Sequence, residues 1–290
     1  MTDADPRRRR REERSCRAVA AVTDHAREHG IRVDEPAVLA DLFSLMVHLR
    51  PAPVVARVST SMPRLRSPIA GWLATEIDVT TFLARQGAPV VAPSPELPPG
   101  PHERDGVAFS YWTYVRPDPD RSPSAADCSA MLVDLHAALR SYPGRLPVFG
   151  GNDIRRGLEA LDGAGDVLSE LEVARLRAAA ERLRPFMEAP GDVQPLHGDA
   201  HPGNVIATRE GLVWIDFEDA CLGPVEWDLA TMMDAGAIGP HHRPDPDVLA
   251  RSRELRALQI ALAMVALHDD LGDLEGWDAG IRAMLAALPA

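Results

Sequence analysis

Apolar residues in the first half of the chain form short runs and one segment with helical spacing. Val54–Val58 and Val107–Val115 are runs of apolar, aromatic and β-branched residues, and each predicts a strand. Between them, apolar residues recur at helical spacing over 72–85, which predicts a helix. Val90-Val91 predicts a short strand, and the proline-rich and glycine-rich segment 93–106 predicts an exposed loop. The first half is therefore expected to combine strands with a helix.

Helical spacing dominates the second half of the chain. The apolar residues that recur on single helix faces are Leu132, Leu135 and Leu139, then Leu168, Leu171, Leu176 and Leu183, and finally Leu255, Leu258, Leu262 and Val265. A further helix is predicted over 278–288, and residues 15–29 have weak helical character. One apolar run, Leu212–Ile215, predicts a buried strand. The pattern predicts an α/β (α+β) protein whose second half is mainly helical.

Three oxygen-bearing side chains stand at a spacing that suits phosphoryl transfer. Asp199 and Asn204 lie in one loop that contains glycine and proline, and Asp216 follows the predicted strand. Transfer of a γ-phosphoryl group needs positioning and charge neutralisation more than covalent chemistry. We expect Asp199 to act as the catalytic base that accepts the proton of a substrate hydroxyl. Asn204 and Asp216 offer the oxygen ligands that Mg²⁺ prefers.

These residues resemble the aminoglycoside phosphotransferase family of small-molecule kinases. The loop of that family, H-G-D-x-x-x-x-N, is matched by His197, Gly198, Asp199 and Asn204. Its metal-binding motif, of the type I-D-[FWY]-E, is matched by Ile215-Asp216-Phe217-Glu218. Several independently placed residues agree with the two motifs, so the resemblance is more specific than a single glycine motif would be.

The resemblance implies a bilobal protein-kinase-like fold, with an antiparallel sheet in a small N-terminal lobe and a larger, mainly helical C-terminal lobe. We expect a nucleotide-binding N-terminal lobe at 15–115 and a catalytic and substrate-binding C-terminal lobe at 116–290. The implied activity is transfer of the γ-phosphoryl group of ATP or GTP, with Mg²⁺, to a hydroxyl of a small molecule. The resemblance extends in outline over 54–230 but is specific only over 197–230.

The chain contains no lysine, since all 31 of its basic residues are arginine. This excludes a P-loop, a Schiff-base lysine and a Ser-Lys dyad. The resemblance places Arg57 where the family has its phosphate-binding lysine, and it makes Glu76 the partner of Arg57. Arginine binds phosphate through a planar fork instead of a point charge, so the exchange is not conservative. The alternative for Glu76 is a solvated carboxylate on an amphipathic helix.

The remaining nucleotide contacts also follow from the resemblance. No glycine occurs over 31–70, so a glycine-rich phosphate loop is missing, and sequence order places the segment with Ser44 over the phosphates. Ser44 could offer its hydroxyl or backbone N–H there, and the alternative is an ordinary strand or turn serine. Trp112, Tyr114 and Val115 lie at the end of a predicted strand, where the family order puts the hinge between the lobes. We expect backbone groups there to bind adenine. A core strand without a ligand is the alternative.

Other functions stay open from the sequence alone. His197, Asp199 and His201 could form the H-x-D-x-H metal cluster of a hydrolase, with Asp216 as a bridging ligand. A nucleotide sensor or scaffold on a kinase fold is a second alternative, because the missing lysine would weaken the grip on phosphate. A polar turn without chemistry is a third.

Charge restricts the partners of the protein. The formal net charge is −12, while residues 1–14 hold six arginines and four acids, which predicts a disordered arm. The rest of the chain is acidic, which argues against nucleic-acid binding and is compatible with a cationic substrate. The acidic residues that could meet such a substrate are Asp234, Glu254, Asp269, Asp270, Asp273 and Glu275. The alternative is a hydrated surface, because charged residues are rarely buried.

The distribution of apolar residues also bears on location. No apolar run approaches the roughly 18 residues that a membrane-spanning helix needs. The N-terminus lacks the apolar region of a signal peptide. We therefore expect a cytoplasmic protein with no membrane partner.

Overall fold

The computed structural model describes residues 5–232, 238–239 and 241–289. Its N-terminal part contains one antiparallel sheet with the strand order β1-β2-β3-β5-β4. The strands are β1 (Val33–Asp41), β2 (Ser44–Pro51), β3 (Val54–Ser59), β4 (His102–Arg104) and β5 (Val107–Thr113). The two strands predicted over 54–58 and 107–115 are thus confirmed, and they are direct neighbours in the sheet.

The two faces of this sheet have different partners because side chains alternate along each strand. On β3, Val54 and Val58 pack in one cluster with Val22 of helix α1 (Pro6–Glu28), so α1 covers the outer face. Val55 lies between them along the strand and points to the opposite face. It packs there in a second cluster that includes Ile77 of helix α2 (Ile69–Arg85). Arg57 has the same parity as Val55 and therefore lies on this inner face.

The helical part of the chain follows the sheet. Its helices are α3 (Ala125–Leu139), α4 (Gly151–Ala160), α5 (Glu170–Glu188), α6 (Glu226–Thr231), α7 (Pro246–Ala266), α8 (His268–Leu271) and α9 (Trp277–Ala287). The helices predicted around Leu132, at 166–188, around Leu258 and at 278–288 are confirmed as α3, α5, α7 and α9, and the one at 72–85 is confirmed as α2. None of the helices in the described ranges combines the length and apolar composition that a membrane span requires.

Leu171 was predicted as a core residue of α5, and this prediction is wrong. The residue is 80% exposed, whereas Leu176 and Leu183 are buried. Five residues separate Leu171 from Leu176, so at 3.6 residues per turn the two side chains point about 140° apart. The helical period in this segment was correct, but Leu171 belongs to its outer face.

Two small hairpin-like pairs of strands hold the candidate site against these helices. Strand β6 (Gln194–Leu196) pairs with β9 (Cys221–Gly223), and β7 (Val205–Thr208) pairs with β8 (Gly211–Trp214). The strand predicted at 212–215 is present as β8, but only Trp214 in it is buried, whereas Leu212 and Val213 are half-buried. Val90-Val91, predicted as a short strand, forms a single bridge to β8.

The structure differs from the predicted disordered arm over residues 5–14. Asp5 caps α1 by accepting a hydrogen bond from the backbone of Arg7 at 2.8 Å, and Pro6 occupies the first helical turn. Arg11 then pairs with Asp273, and Arg14 pairs with Asp270 in α8. The charge run did not predict this helix because its acidic partners lie more than 250 residues away in sequence. Residues 1–4 lie outside the described residues.

The same contacts bear on the acidic stretch for which contact with a cationic substrate and a hydrated surface were both left open. Asp270 also binds Arg64, and Glu254 pairs with Arg182. Asp234 lies outside the described residues. Several of these carboxylates are therefore engaged with arginines of the protein itself. Of Asp269, Asp270 and Asp273, which face α1 and Arg64, only Asp269 is largely exposed.

Two loops of the helical part approach each other at Gly198. Its φ of +89° lies in the left-handed region, and a Cβ at this position would be only 1.7 Å from the carbonyl oxygen of Asp219. Both constraints require glycine here. The loop after β6 and the loop after β8 are thereby held in direct backbone contact, which sets the spacing of the site that they carry.

Leu49 provides a test of the packing of α1 on the sheet. It is fully buried on β2 in the cluster that contains Val22, so Leu49→Ala should lower the free energy of unfolding by about 2–5 kcal/mol. Leu39→Ala on the neighbouring strand is the matched control, because Leu39 is 47% exposed. Its expected effect is within about 0.5 kcal/mol. Equal losses for both variants in urea unfolding would contradict the assigned faces.

Gly198 provides a test of the contact between the two loops. Gly198→Ala should lower the free energy of unfolding by about 1–2 kcal/mol, because alanine is strained in the left-handed region. The clash with Asp219 should lower it by a further 1–3 kcal/mol, approximately. Gly191→Ala is the control, since Gly191 has a φ of +87° and open space around it. Only the strain term applies to the control. If urea unfolding gave the same loss for both glycines, the close approach would be refuted.

Candidate active site

The loop that follows β6 is fixed by a buried carboxylate on α6. The backbone N–H groups of His197 and Gly198 donate to Asp228 at 3.1 and 2.7 Å. Burial alone would raise the pKa of Asp228, but the hydrogen bond from His136 and the neighbouring amides lower that pKa below its usual value. Asp228 is therefore an ionised acceptor, and it holds the backbone immediately before Asp199.

Asp199 and Asn204 meet across this loop. The Asn204 side-chain nitrogen donates to the backbone oxygen of Asp199 at 2.8 Å and to its Oδ2 at 3.1 Å. Nε2 of His201 lies 3.3 Å from the same Oδ2. Burial alone would raise the pKa of Asp199, yet the hydrogen bond from His201 and the charge of Arg256 hold it well below its usual value. The result is an ionised carboxylate with the side-chain amide of Asn204 beside it.

Asp216 reaches the same region from the end of β8. Its φ of +65° is unusual for a residue other than glycine, and a 3-10 turn over Phe217–Asp219 follows directly. Its side chain remains 36% exposed. Sparsely populated backbone conformations of this kind concentrate at functional sites, where surrounding contacts maintain them. Here the 3-10 turn and the approach of Gly198 are such contacts.

Arg57 joins the sheet to this site through three carboxylates. One of its terminal nitrogens donates to Glu76 and to Asp216, each at 2.7 Å, and the other donates to Glu218 at 2.5 Å. Glu76 is 2% exposed, so the solvated-helix alternative for this residue is wrong. Burial raises the pKa of Glu76 to about 8 in spite of the charge of Arg57. The ion pair expected between Arg57 and Glu76 is present, and its role in binding phosphate stays a prediction.

Further polar atoms on the inner face of the sheet have no protein partner. The register pairs Ser44 with Ser59 and places both on the Arg57 side of the sheet. The buried polar atoms without a hydrogen bond there include Oγ of Ser44, Oγ of Ser59, Nδ1 of His48 and Nε of Arg57. Each such group costs about 1–3 kcal/mol when it is left unpaired. Their concentration on one face fits a polar ligand that would lie against it.

The expected hinge residues end β5 beside this face. Trp112 is buried, and its indole nitrogen donates to Ser110 at 2.8 Å. The ring of Tyr114 stacks on His48 with 3.7 Å between centroids. The backbone N–H of Tyr114 donates to Pro53, so it is not free to bind adenine. Val115 follows directly and is half-buried, which leaves its backbone as the predicted contact.

The sequence did not predict a second buried arginine next to the first. Arg66, in the segment between β3 and α2, binds Asp153 at 2.9 Å, Asp219 at 2.5 Å and the second oxygen of Glu218. Glu218 is therefore shared by Arg66 and Arg57. No local motif marks Arg66, and its partners are 87 to 153 residues away. Only Glu218 could have been found, because it lies within the matched motif.

The geometry opposes the metal-hydrolase alternative. The two ring nitrogens of His197 are engaged with the backbone of Ile215 and of Asp199, at 3.0 and 3.3 Å. Neither is directed at Asp216. Within the ranges that the structure describes, no three histidine, cysteine or acidic side chains are grouped as a metal site. The oxygen-ligand site of Asn204 and Asp216 stays a prediction.

Solved structures share this fold at low sequence identity. The choline kinase LicA from Streptococcus pneumoniae is 13% identical, with a TM-score of 0.64, and the similarity covers 92% of this chain and 98% of that one. The amicoumacin kinase hAmiN, solved with AMP-PNP, Ca²⁺ and Ami, is 14% identical over 88% of each chain, with a TM-score of 0.65. The protein-kinase-like fold class that the sequence predicted is confirmed.

A third structural relative comes from the group named in the resemblance. A thermostable mutant of the aminoglycoside phosphotransferase APH(4)-Ia, in a ternary complex with AMP-PNP and hygromycin B, is 14% identical. The similarity covers 92% of this chain and 98% of that chain, with a TM-score of 0.55. No curated protein matches the chain at a significant level.

Sequence comparison decides the family. The profile of the phosphotransferase enzyme family matches residues 63–261, which is more than half of the chain. The matched range includes Glu76, Asp199, Asn204 and Asp216, while Arg57 precedes it. The prediction of a phosphotransferase is confirmed at the level of the family. The protein belongs to the phosphotransferase enzyme family.

Proposed function

We propose that the protein transfers the γ-phosphoryl group of ATP or GTP to a hydroxyl group of a small molecule. The observation that carries this proposal is the presence of two close side-chain pairs on neighbouring segments, which are linked by a backbone hydrogen bond of 3.0 Å from Ile215 to Asn204. Asp216 lies 2.7 Å from Arg57, and Asn204 lies 3.1 Å from Asp199. Phosphoryl transfer depends mainly on positioning and on charge stabilisation, and these four side chains supply both.

Each residue has a role in this proposal. Asp199, held ionised, orients the acceptor hydroxyl and takes its proton. Arg57 contacts the phosphates through the N–H groups that its carboxylates leave free, and Glu76 orients it. Ser44, on the same face of the sheet, offers its unpartnered hydroxyl to the phosphates. Mg²⁺, held by Asn204 and Asp216, would neutralise charge on the β- and γ-phosphates.

Structural relatives support nucleotide use and the class of acceptor. Two of the kinases described above were solved with AMP-PNP, and one of these also contains Ca²⁺. Choline kinase and a microcompartment-associated aminopropanol kinase act on alcohols that also carry a nitrogen centre. We therefore propose a cationic alcohol as the first class of acceptor to examine. ATP and GTP are abundant in the cytoplasm, where we place the reaction.

A nucleotide sensor is the second candidate function, and one observation favours it. Arg57 already donates three hydrogen bonds to Glu76, Asp216 and Glu218. It therefore has fewer free N–H groups and less uncompensated positive charge for a phosphate than a basic side chain with one acidic partner. A sensor would bind nucleotide with Mg²⁺ but would transfer phosphate to no member of an alcohol panel.

Nucleotide and metal binding can be tested by thermal shift. At about 100 times its Kd, ATP or GTP with Mg²⁺ should stabilise the protein by about 2.7 kcal/mol. Asp216→Asn should remove the Mg²⁺-dependent part of this shift. Asp105→Asn is the control, because Asp105 is also an aspartate at positive φ but lies in an exposed turn. The absence of a shift in the wild type with either nucleotide would refute both candidate functions.

The catalytic base can be tested by kinetics. Asp199→Ala should lower kcat by about 10²–10⁴-fold, the usual contribution of general base catalysis. Asp192→Ala, at an exposed position shortly before the loop, should leave kcat unchanged. The assay follows labelled γ-phosphate into a panel of choline, ethanolamine, aminopropanol and aminoglycosides. Undiminished transfer by the Asp199 variant would eliminate its assigned role.

A further inference from the structure

One buried arginine lies directly beneath the catalytic loop and has no part in the matched motifs. Arg256, on α7, is 5% exposed. One of its terminal nitrogens donates to the carbonyl oxygen of Gly198 at 2.6 Å, and the other donates to Gln259 at 2.9 Å. Its guanidinium carbon lies 3.7 Å from the ring centre of Trp227. Packing and hydrogen bonds thus fix this side chain in one orientation.

The contact with Gly198 completes a restraint on the two successive peptide units that meet at this residue. The N–H of Gly198 is held by Asp228 at 2.7 Å, and its carbonyl is held by Arg256. Gly198 immediately precedes Asp199, so these two bonds limit rotation of the backbone that carries the Asp199 side chain. A displacement of about 1 Å in reacting groups can cost on the order of 10²-fold in rate.

The charge of Arg256 also points to Asp199. Within the described part of the chain, Asp199 is the one carboxylate that forms an ion pair with Arg256, at 3.9 Å. That distance is too long for a hydrogen bond. Burying a guanidinium is costly when its charge is poorly compensated. A buried arginine whose one acidic partner is the proposed base suggests a functional reason for its presence.

A chain of buried polar contacts connects Arg256 to Arg57, the proposed phosphate contact. Gln259 donates to Asp153 at 3.1 Å, and Asp153 accepts from Arg66 at 2.9 Å. Arg66 and Arg57 then share Glu218. The base and the proposed phosphate contact are therefore attached to one continuous network that crosses from α7 to β3.

We propose that Arg256 is a positioning residue for phosphoryl transfer, which fixes the Gly198 carbonyl and so holds the carboxylate of Asp199 toward the acceptor hydroxyl. Both terminal nitrogens of Arg256 are engaged with Gly198 and Gln259, so it acts through the loop and not on either substrate. The proposal rests on the function proposed above, in which Asp199 is the base.

Kinetics separate positioning from simple stabilisation. Arg256→Met keeps the aliphatic packing on Trp227 but removes the donors and the charge, so kcat should fall on the order of 10²-fold with unchanged KM values for both substrates. Arg256→Lys, which retains the charge and one donor, should recover part of kcat. Arg251→Met is the matched control on the same helix, at an exposed position over Phe186.

Loss of stability needs its own control. Leu262→Ala removes buried packing from α7 about 9 Å further along the helix axis, without touching the loop. It should lower Tm while leaving kcat intact at temperatures where the protein stays folded. The proposal is overturned if Arg256→Met retains full kcat, or if Leu262→Ala lowers kcat as much at equal stability.

Hydrogen exchange gives a measurement that does not depend on activity. Amides over 196–201 should exchange faster in Arg256→Met than in the wild type, whereas Leu262→Ala should leave this segment as protected as the wild type. An unchanged loop in Arg256→Met would overturn the positioning role. If the wild type transfers phosphate to no acceptor but the loop loosens as expected, the proposed function fails while the structural role of Arg256 stands.

Discussion

The arrangement of this site depends on one buried guanidinium. Arg57 extends from the central strand of the sheet and binds carboxylates from α2 and from the loop after β8. Charges removed from water are tolerated only when they are paired with good geometry. The strand, the helix and the loop are therefore held at a mutual distance that satisfies all three hydrogen bonds. The position of Asp216, and with it the proposed metal site, follows from this pairing.

Negative charge exceeds positive charge around this centre. The carboxylates that bind Arg57 and Arg66 are those of Glu76, Asp153, Asp216, Glu218 and Asp219. Burial, reinforced by neighbouring carboxylates, raises the pKa of Glu76 to about 8 and that of Asp219 to about 7 in spite of the arginines. A site with this excess of carboxylates repels a polyphosphate without a metal ion. We therefore expect it to favour a phosphate that is bound to a divalent cation.

The sequence predicted the parts of the site that are local and missed those that are distant. Asp199, Asn204 and Asp216 were found because a loop and a strand end place them within 18 residues of one another, and their spacing carries the chemistry. Arg57 and Glu76 required the resemblance, since only a fold can relate a strand to the following helix. Arg66 and Arg256 could not be predicted, because a buried arginine has no spacing signature and its partners are set by packing. The helix at residues 6–14 was missed for the same reason.

The chain departs from the family pattern at Arg57, where the resemblance places a lysine, and in the glycine-free segment, and both lie N-terminal to the family match. The family match begins at residue 63, after Arg57 and after the glycine-free segment that contains Ser44. The loops that supply the proposed base and metal ligands lie inside the match. Metal coordination and proton transfer demand specific atoms at specific distances, whereas a phosphate can be held by any suitably placed donors. That Arg57 takes the place of the family's lysine stays a prediction. In this chain Arg57 binds two further carboxylates besides Glu76, and one of them, Glu218, is shared with Arg66.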